Sequence, residues 1–145
     1  MANATRAWES LFRAQVTLMR RFQRAHRDAE VSLREYDVLY NLSRFPDAGL
    51  RINELNEHIL LTQPSLSRLV DRMESDGLVE RGADEGDRRG TVVRLTARGA
   101  EVQRRVGRAH AAAIGKYVGG ALTADELRTL ERLCDKLRAA QPTIP

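Results

Sequence analysis

Two short amphipathic patterns about four residues apart, followed by a switch to β-branched runs after Gly77, constrain this 145-residue chain more than any other feature. The first pattern is predicted to be capped by Asn53, with Glu54 and Glu57 near its start and Ile52, Leu55 and Ile59 facing inward. The second is predicted to be capped by Thr62, with Pro64 in its first turn and Leu61 and Leu66 as a hydrophobic staple. Leu66, Leu69, Val70 and Met73 form its buried stripe, and Gly77 supplies a left-handed exit. So short a connection is that of a helix-turn-helix. Beyond Gly77, residues 78–81 and 91–95 read as the strands of a hairpin around a charged, Gly-rich tip at 82–90.

Helices flank this unit on both sides. Residues 5–28 place Trp8, Leu11, Phe12, Leu18, Met19 and Phe22 at three- and four-residue steps. The next helix opens with a capping box, Ser32 with Glu35, and a staple pair, Val31 with Tyr36; residues 45–49 stop it. Thr96 caps a long helix from Ala97 to about Val118, closed by Gly119 and Gly120. A second capping box, Thr123 with Glu126, starts the last helix, where Leu127, Leu130, Cys134 and Leu137 follow at heptad-like spacing. The predicted fold class is mainly α with a small β-wing, one domain over residues 1–145. No internal repeat or low-complexity linker divides it.

Composition removes several classes of function. Hydrophobic residues at 42% and charged residues at 30% exclude a disordered chain. One cysteine cannot form an internal disulfide. Arg6, Glu9 and Arg13 interrupt any signal-peptide core, and no run of 18 apolar residues exists, so a cytoplasmic protein with no membrane partner is expected. His26, His58 and His110 fall on different helices without metal-ligand spacing, and the 82–90 tip precedes a strand, unlike a phosphate loop. No enzyme activity, metal or cofactor is expected. Of the 24 basic residues 22 are Arg, the cation that forks onto phosphates and guanine edges. Residues 51–99, however, hold eight Arg against nine acids, so the overall +4 decides less than where each Arg points.

Projected at 100° per residue, the second helix of the pair sets Pro64, Arg68, Asp71 and Ser75 opposite its apolar stripe, with Ser67 and Arg72 flanking them. Such a face suits major-groove base edges and phosphates. Arg88 and Arg89 at the hairpin tip suit a minor groove, and Asp87 can hold the Arg89 guanidinium in a forked pair. Taken singly, either feature is as well explained by a solvated face or a charged turn; in sequence they form one device.

Asp87-x-Arg89, followed by Leu95-Thr96 and Gly99, carries a more specific likeness. With Ser67-Arg68-Leu69-Val70-Asp71-Arg72-Met73-Glu74 and Gly77-Leu78-Val79, these residues resemble the winged helix-turn-helix of the multiple antibiotic resistance regulator (MarR) family over residues 33–99. The flanking segments 5–28 and 100–140 are similar to that family's dimerisation helices. The resemblance implies a homodimeric transcriptional regulator, usually a repressor, that binds a palindromic double-stranded DNA operator and is released by a small ligand or an oxidant. It implies DNA contacts by Gln63, Pro64, Ser65, Ser67, Arg68, Asp71 and Arg72 in the major groove. Arg89 would enter the minor groove, Asp87 would orient it, and Arg88 would meet phosphate. Asn56 stands where the family favours a small Ala. A winged domain used for protein contact is the alternative reading.

Independently of the family, pairing the terminal stripes between two copies would relate two recognition helices by a two-fold axis, with half-sites roughly 34–36 Å apart. The resemblance also implies an effector pocket between the dimer helices and the wing domain. Trp8, Tyr36, Asp37 and Tyr40 are the candidates for a small aromatic effector, and Arg13 for an anionic one. Cys134, on the apolar stripe of the last helix, is expected to be a buried, inert thiol.

Overall fold

The computed structural model describes residues 1–61, 64–87 and 90–143. Its elements follow in the order α1 (Ala2–Ala25), α2 (Leu33–Ser43), α3 (Ile52–His58), α4 (Leu66–Ser75), β1 (Val79–Ala83), β2 (Thr91–Leu95), α5 (Ala97–Ile114) and α6 (Ala124–Ala139). A π-helical turn, Gly115–Gly119, prolongs α5.

Local hydrogen bonding explains where the helices begin. In α2, the Ser32 hydroxyl accepts from Glu35 N at 3.1 Å and the Glu35 carboxylate accepts from Ser32 N at 2.9 Å, the expected reciprocal cap. Thr123 and Glu126 do the same for α6, the hydroxyl accepting at 3.2 Å and the carboxylate at 2.8 Å. Two expected caps are corrected. The chain enters α3 at Ile52, because the Glu54 carboxylate accepts from Arg51 N at 3.0 Å, which leaves Asn53 inside the helix. The α4 cap is Ser65, whose hydroxyl accepts from Arg68 N at 3.3 Å; Pro64 lies in a bend before the helix, and Thr62 lies outside the described residues. Helix α1 also runs earlier than expected and ends at Ala25, where His26 N closes onto Phe22 O at 2.9 Å and the chain turns.

Val38, Leu39 and Leu42 of α2, Leu55 of α3, Leu69, Val70 and Met73 of α4, Val79 and Val93 of the hairpin and Val102 and Val106 of α5 form one core. The wing is rooted in it at two close approaches. Leu50 pairs with Val93 of β2 through bonds of 3.0 and 2.8 Å. That pairing needs Gly49, at φ +68°, where an added Cβ would stand 2.7 Å from Val93 O. At the other root, the Thr96 hydroxyl donates to Gly77 O at 2.6 Å and accepts from Gly99 N at 3.0 Å. Here α5 crosses so near the backbone of Leu78 that a Cβ on Gly99 would meet the Leu78 carbonyl oxygen at 1.9 Å. The Thr96 and Gly99 positions of the family-like motif are thus a joint between the α4 exit and α5.

The outer helices are less complete. Trp8 and Phe12 of α1 and Leu130, Leu133 and Leu137 of α6 remain exposed, and α6 buries no residue. Cys134 is consequently half-buried, not buried as expected, because its stripe has no cover among the described residues. No helix among the described residues is long and apolar enough to cross a membrane.

Where α1 leaves the core, His26 and His110 meet edge to face at 5.3 Å, with Phe22 and Tyr36 around them. His26 Nε2 and His110 Nδ1 are buried without hydrogen-bond partners among the described residues. Burial holds both imidazoles below the ordinary value of about 6.5, and at His110 the neighbouring His26 adds to the effect.

Two outcomes follow from this packing. Gly99→Ala should lower unfolding free energy by about 1–3 kcal/mol through overpacking, read as a shifted denaturant midpoint; an unchanged midpoint would contradict the joint. The unfolded chain binds more protons than the folded one just below pH 6.5, so the histidines' contribution is complete above that pH. It is lost as pH falls through their lowered folded values. His110→Phe should therefore flatten the fall in Tm between pH 7 and 5, and an identical slope in both proteins would argue against the pair.

Candidate nucleic-acid interface

The amphipathic pattern of α4 turns Leu66, Leu69, Val70 and Met73 into the core and leaves Ser67, Arg68, Asp71, Arg72 and Ser75 exposed. Pro64 and Ser65 stand at the entrance of the helix, not on its face. A groove beside it is lined by Ser32, Arg34, Ser65, Arg68 and Arg72. Arg34, at the start of α2, was not singled out in the sequence because nothing local distinguishes it from other exposed cations.

Asp71 has a different environment from the one its helix position suggested. Arg81 of β1 reaches its carboxylate at 2.8 Å and that of Glu74 at 3.1 Å, while Arg81 N donates to Glu74 at 3.1 Å. This cluster braces the first strand of the wing against α4. At the wing tip, Asp84 accepts from Gly86 N at 3.0 Å and its backbone N donates to Gly90 O at 3.0 Å. Arg51 approaches from the start of α3, with Nε and Nη2 donating to Asp84 Oδ2 at 3.1 and 2.9 Å and Nη2 to Asp87 Oδ2 at 3.2 Å. Arg51 and the Gly86 amide hold the Asp84 carboxyl below the usual carboxylate range. Gln63, Arg88 and Arg89, expected to touch DNA, lie outside the described residues.

A cavity of about 510 Å³ opens where α1, α2, α5 and the segment leading from α3 to α4 meet. Tyr36, Asp37 and Tyr40 line it as expected, joined by Met19, Phe22, His110 and Ile114. Trp8 and Arg13 do not line it. Trp8 is 62% exposed and stacks on Phe12 at 5.5 Å, and Arg13 pairs with Glu9 at 2.8 Å one helical turn away. The Asp37 carboxylate is engaged below the cavity: Oδ2 accepts from Leu60 N and Leu61 N at 2.7 and 2.8 Å, and Oδ1 from the Asn41 amide at 3.1 Å. Asp37 thereby ties α2 to the segment that leads into α4.

Comparison with known proteins bears directly on this arrangement. The family model described as "MarR family" matches residues 30–90. The solved structure of Sco3205, a MarR family transcriptional regulator from Streptomyces coelicolor in complex with DNA, is 30% identical, with 99% of this chain and 94% of that chain covered at a TM-score of 0.83. The chain belongs to the MarR family. The family is one of transcription regulators, not of enzymes. The multiple antibiotic resistance protein MarR of Escherichia coli is 33% identical over 84 residues, 58% of this chain and 58% of that relative's length. A mutant of E. coli MarR complexed with operator DNA is 26% identical, covering 89% of this chain and 91% of that one at a TM-score of 0.76. The winged fold expected of a MarR-family chain is the fold observed, with the Leu50–Val93 bridge added at the root of its wing.

Because Asp37 satisfies two backbone donors from inside the fold, Asp37→Ala should destabilise the protein by about 1–3 kcal/mol, and Asp37→Asn, which keeps one acceptor oxygen, by less. Chemical denaturation of the three proteins tests this; equal stability of all three would remove Asp37 as the tie.

Proposed function

We propose that this chain is a cytoplasmic, homodimeric transcriptional regulator that represses by binding a palindromic double-stranded DNA operator. The observation that carries the reading is that α4 directs Ser67, Arg68 and Arg72 outward while the Asp71–Arg81–Glu74 cluster fixes the wing to the same helix. A helix face and a wing held as one body can address a major groove and the neighbouring backbone together. In this reading Arg68 and Arg72 meet base edges or phosphates, Pro64, Ser65 and Gln63 meet DNA at the helix entrance, and Asp71 acts through Arg81. Arg88 and Arg89 meet DNA from the wing tip. The DNA complexes of Sco3205 and of the E. coli MarR mutant support it by likeness.

The dimer is supported by the exposed stripes of α1 and α6, which a second copy would cover. It assigns residues 33–99 to DNA and residues 5–28 and 100–140 to dimerisation. The cavity beside Tyr36, Tyr40 and His110 is the effector site in this reading. Its largely apolar, aromatic lining favours a small aromatic compound over an anion, since no Arg or Lys lines it among the described residues.

Duplexes selected by the wild-type protein from a randomised pool test the reading. Binding should fall steeply with salt as counterions are released. Arg68→Ala should weaken it on the order of tenfold or more, with the dimer mass unchanged on sizing chromatography. Failure to select any duplex, or binding insensitive to both salt and Arg68→Ala, would favour the protein-contact alternative.

A further inference from the structure

Arg51 belongs to no part of the interface assigned so far, yet it joins two parts of it. Its backbone starts α3, immediately after Leu50, which is paired with Val93 at the root of the wing. Its side chain spans from there to the tip, where three donor contacts of 2.9–3.2 Å converge on Asp84 and Asp87. Gly90 makes room for it: a Cβ at that position would stand 2.5 Å from Arg51 Nη2 and 2.7 Å from Cζ, so the guanidinium lies against bare backbone.

Two physical arguments give this contact a purpose other than stability. The first is its exposure. The Arg51 and Asp84 side chains are 36% and 27% exposed, and surface ion pairs of this kind contribute little to folding. Two donors on one Asp84 oxygen and a third contact to Asp87 nonetheless fix direction, because the planar guanidinium holds its acceptors at set positions. The second is charge. The 82–90 tip carries Asp84, Glu85 and Asp87 against Arg88 and Arg89, a net of −1. A loop of that sign is repelled by phosphate unless its carboxylates are offset.

We propose that Arg51 is a positioning residue for the wing: by clasping Asp84 and Asp87 it orients the tip relative to α4, and its charge offsets the Asp84 carboxylate. This rests on the DNA-binding reading above. Arg51 acts through the tip and need not touch DNA itself, which separates it from Arg68 and Arg72.

The test is a double-mutant cycle on the selected duplex. Arg51→Gln should weaken binding on the order of tenfold, while the same change in an Asp84→Asn background should cost about twofold, since the carboxylate that takes two of its three contacts is already neutral. Arg51→Lys, which keeps the charge and loses the fork, should recover only part of the affinity. Tm and dimer mass should stay at wild-type values for all of these variants. Hydroxyl-radical footprints of Arg51→Gln should lose the protections contributed by the wing and keep those centred on α4. Equal losses in both backgrounds, full recovery by Lys, or a fall in Tm that accompanies the loss of affinity would overturn the proposal. Arg68→Ala is measured beside them: if it weakens binding and Arg51→Gln does not, the positioning role alone fails, and if neither does, the DNA-binding reading fails with it.

Discussion

The carboxylate of Asp37 is the contact on which the arrangement of the functional surface depends. A buried carboxylate is costly unless its lone pairs are filled, and here they are filled by Leu60 N, Leu61 N and the Asn41 amide. Asn41 is held in turn, donating to Asp37 O at 2.8 Å. The two amides belong to the stretch that precedes α4, so this stretch is tied to α2, a helix at the centre of the core. The same residue forms part of the cavity lining.

A two-stranded hairpin is marginal by itself, and this one is stabilised by what holds its base. Val79, Val92 and Val93 are buried, Leu50 adds a bridge to β2, and Thr96 locks the exit of α4 to the start of α5. Each of these joints requires a missing side chain, at Gly49 in one case and Gly99 in the other. The wing can thus carry a charged, solvent-facing tip on a root that belongs to the hydrophobic core.

Much of this was legible in the sequence because it is written locally. The Ser32–Glu35 and Thr123–Glu126 boxes, the stripe of α4, the turn at Gly77 and the hairpin each depend on residues within a few positions of one another. What was misread is also instructive. Asn53 and Thr62 are good cap residues, but Arg51 with Glu54, and Ser65, lie close enough to compete for the same helix ends, and tertiary anchoring of Leu50 decides the first case. The Arg51–Asp84 contact joins residues 33 positions apart and has no periodic signature. The cavity draws Met19, Phe22 and His110 from helices distant in sequence, while Trp8, the most conspicuous aromatic, points away from it. The stripe of α6 implies a buried Cys134, an implication that holds only once something covers that stripe.

The six described arginines of residues 51–99 fall into two populations, and this shows how a segment of net negative charge can still present unpaired cations. Arg51 is engaged by Asp84 and Asp87, Arg81 by Asp71 and Glu74, Arg94 by the backbone of Asp47 at 2.7 Å, and Arg98 by the backbone of Asp76. These four hold the wing, α4 and α5 in register, and two of them, Arg51 and Arg81, together occupy four of the segment's nine acids. Arg68 and Arg72 have no ion-pair partner among the described residues and lie on the outward face of α4. Acids that would cancel them in a charge count are instead occupied by other arginines within the fold. The sign of the surface is therefore set by which cations are left over after the internal pairs form, and a composition-based charge cannot report that.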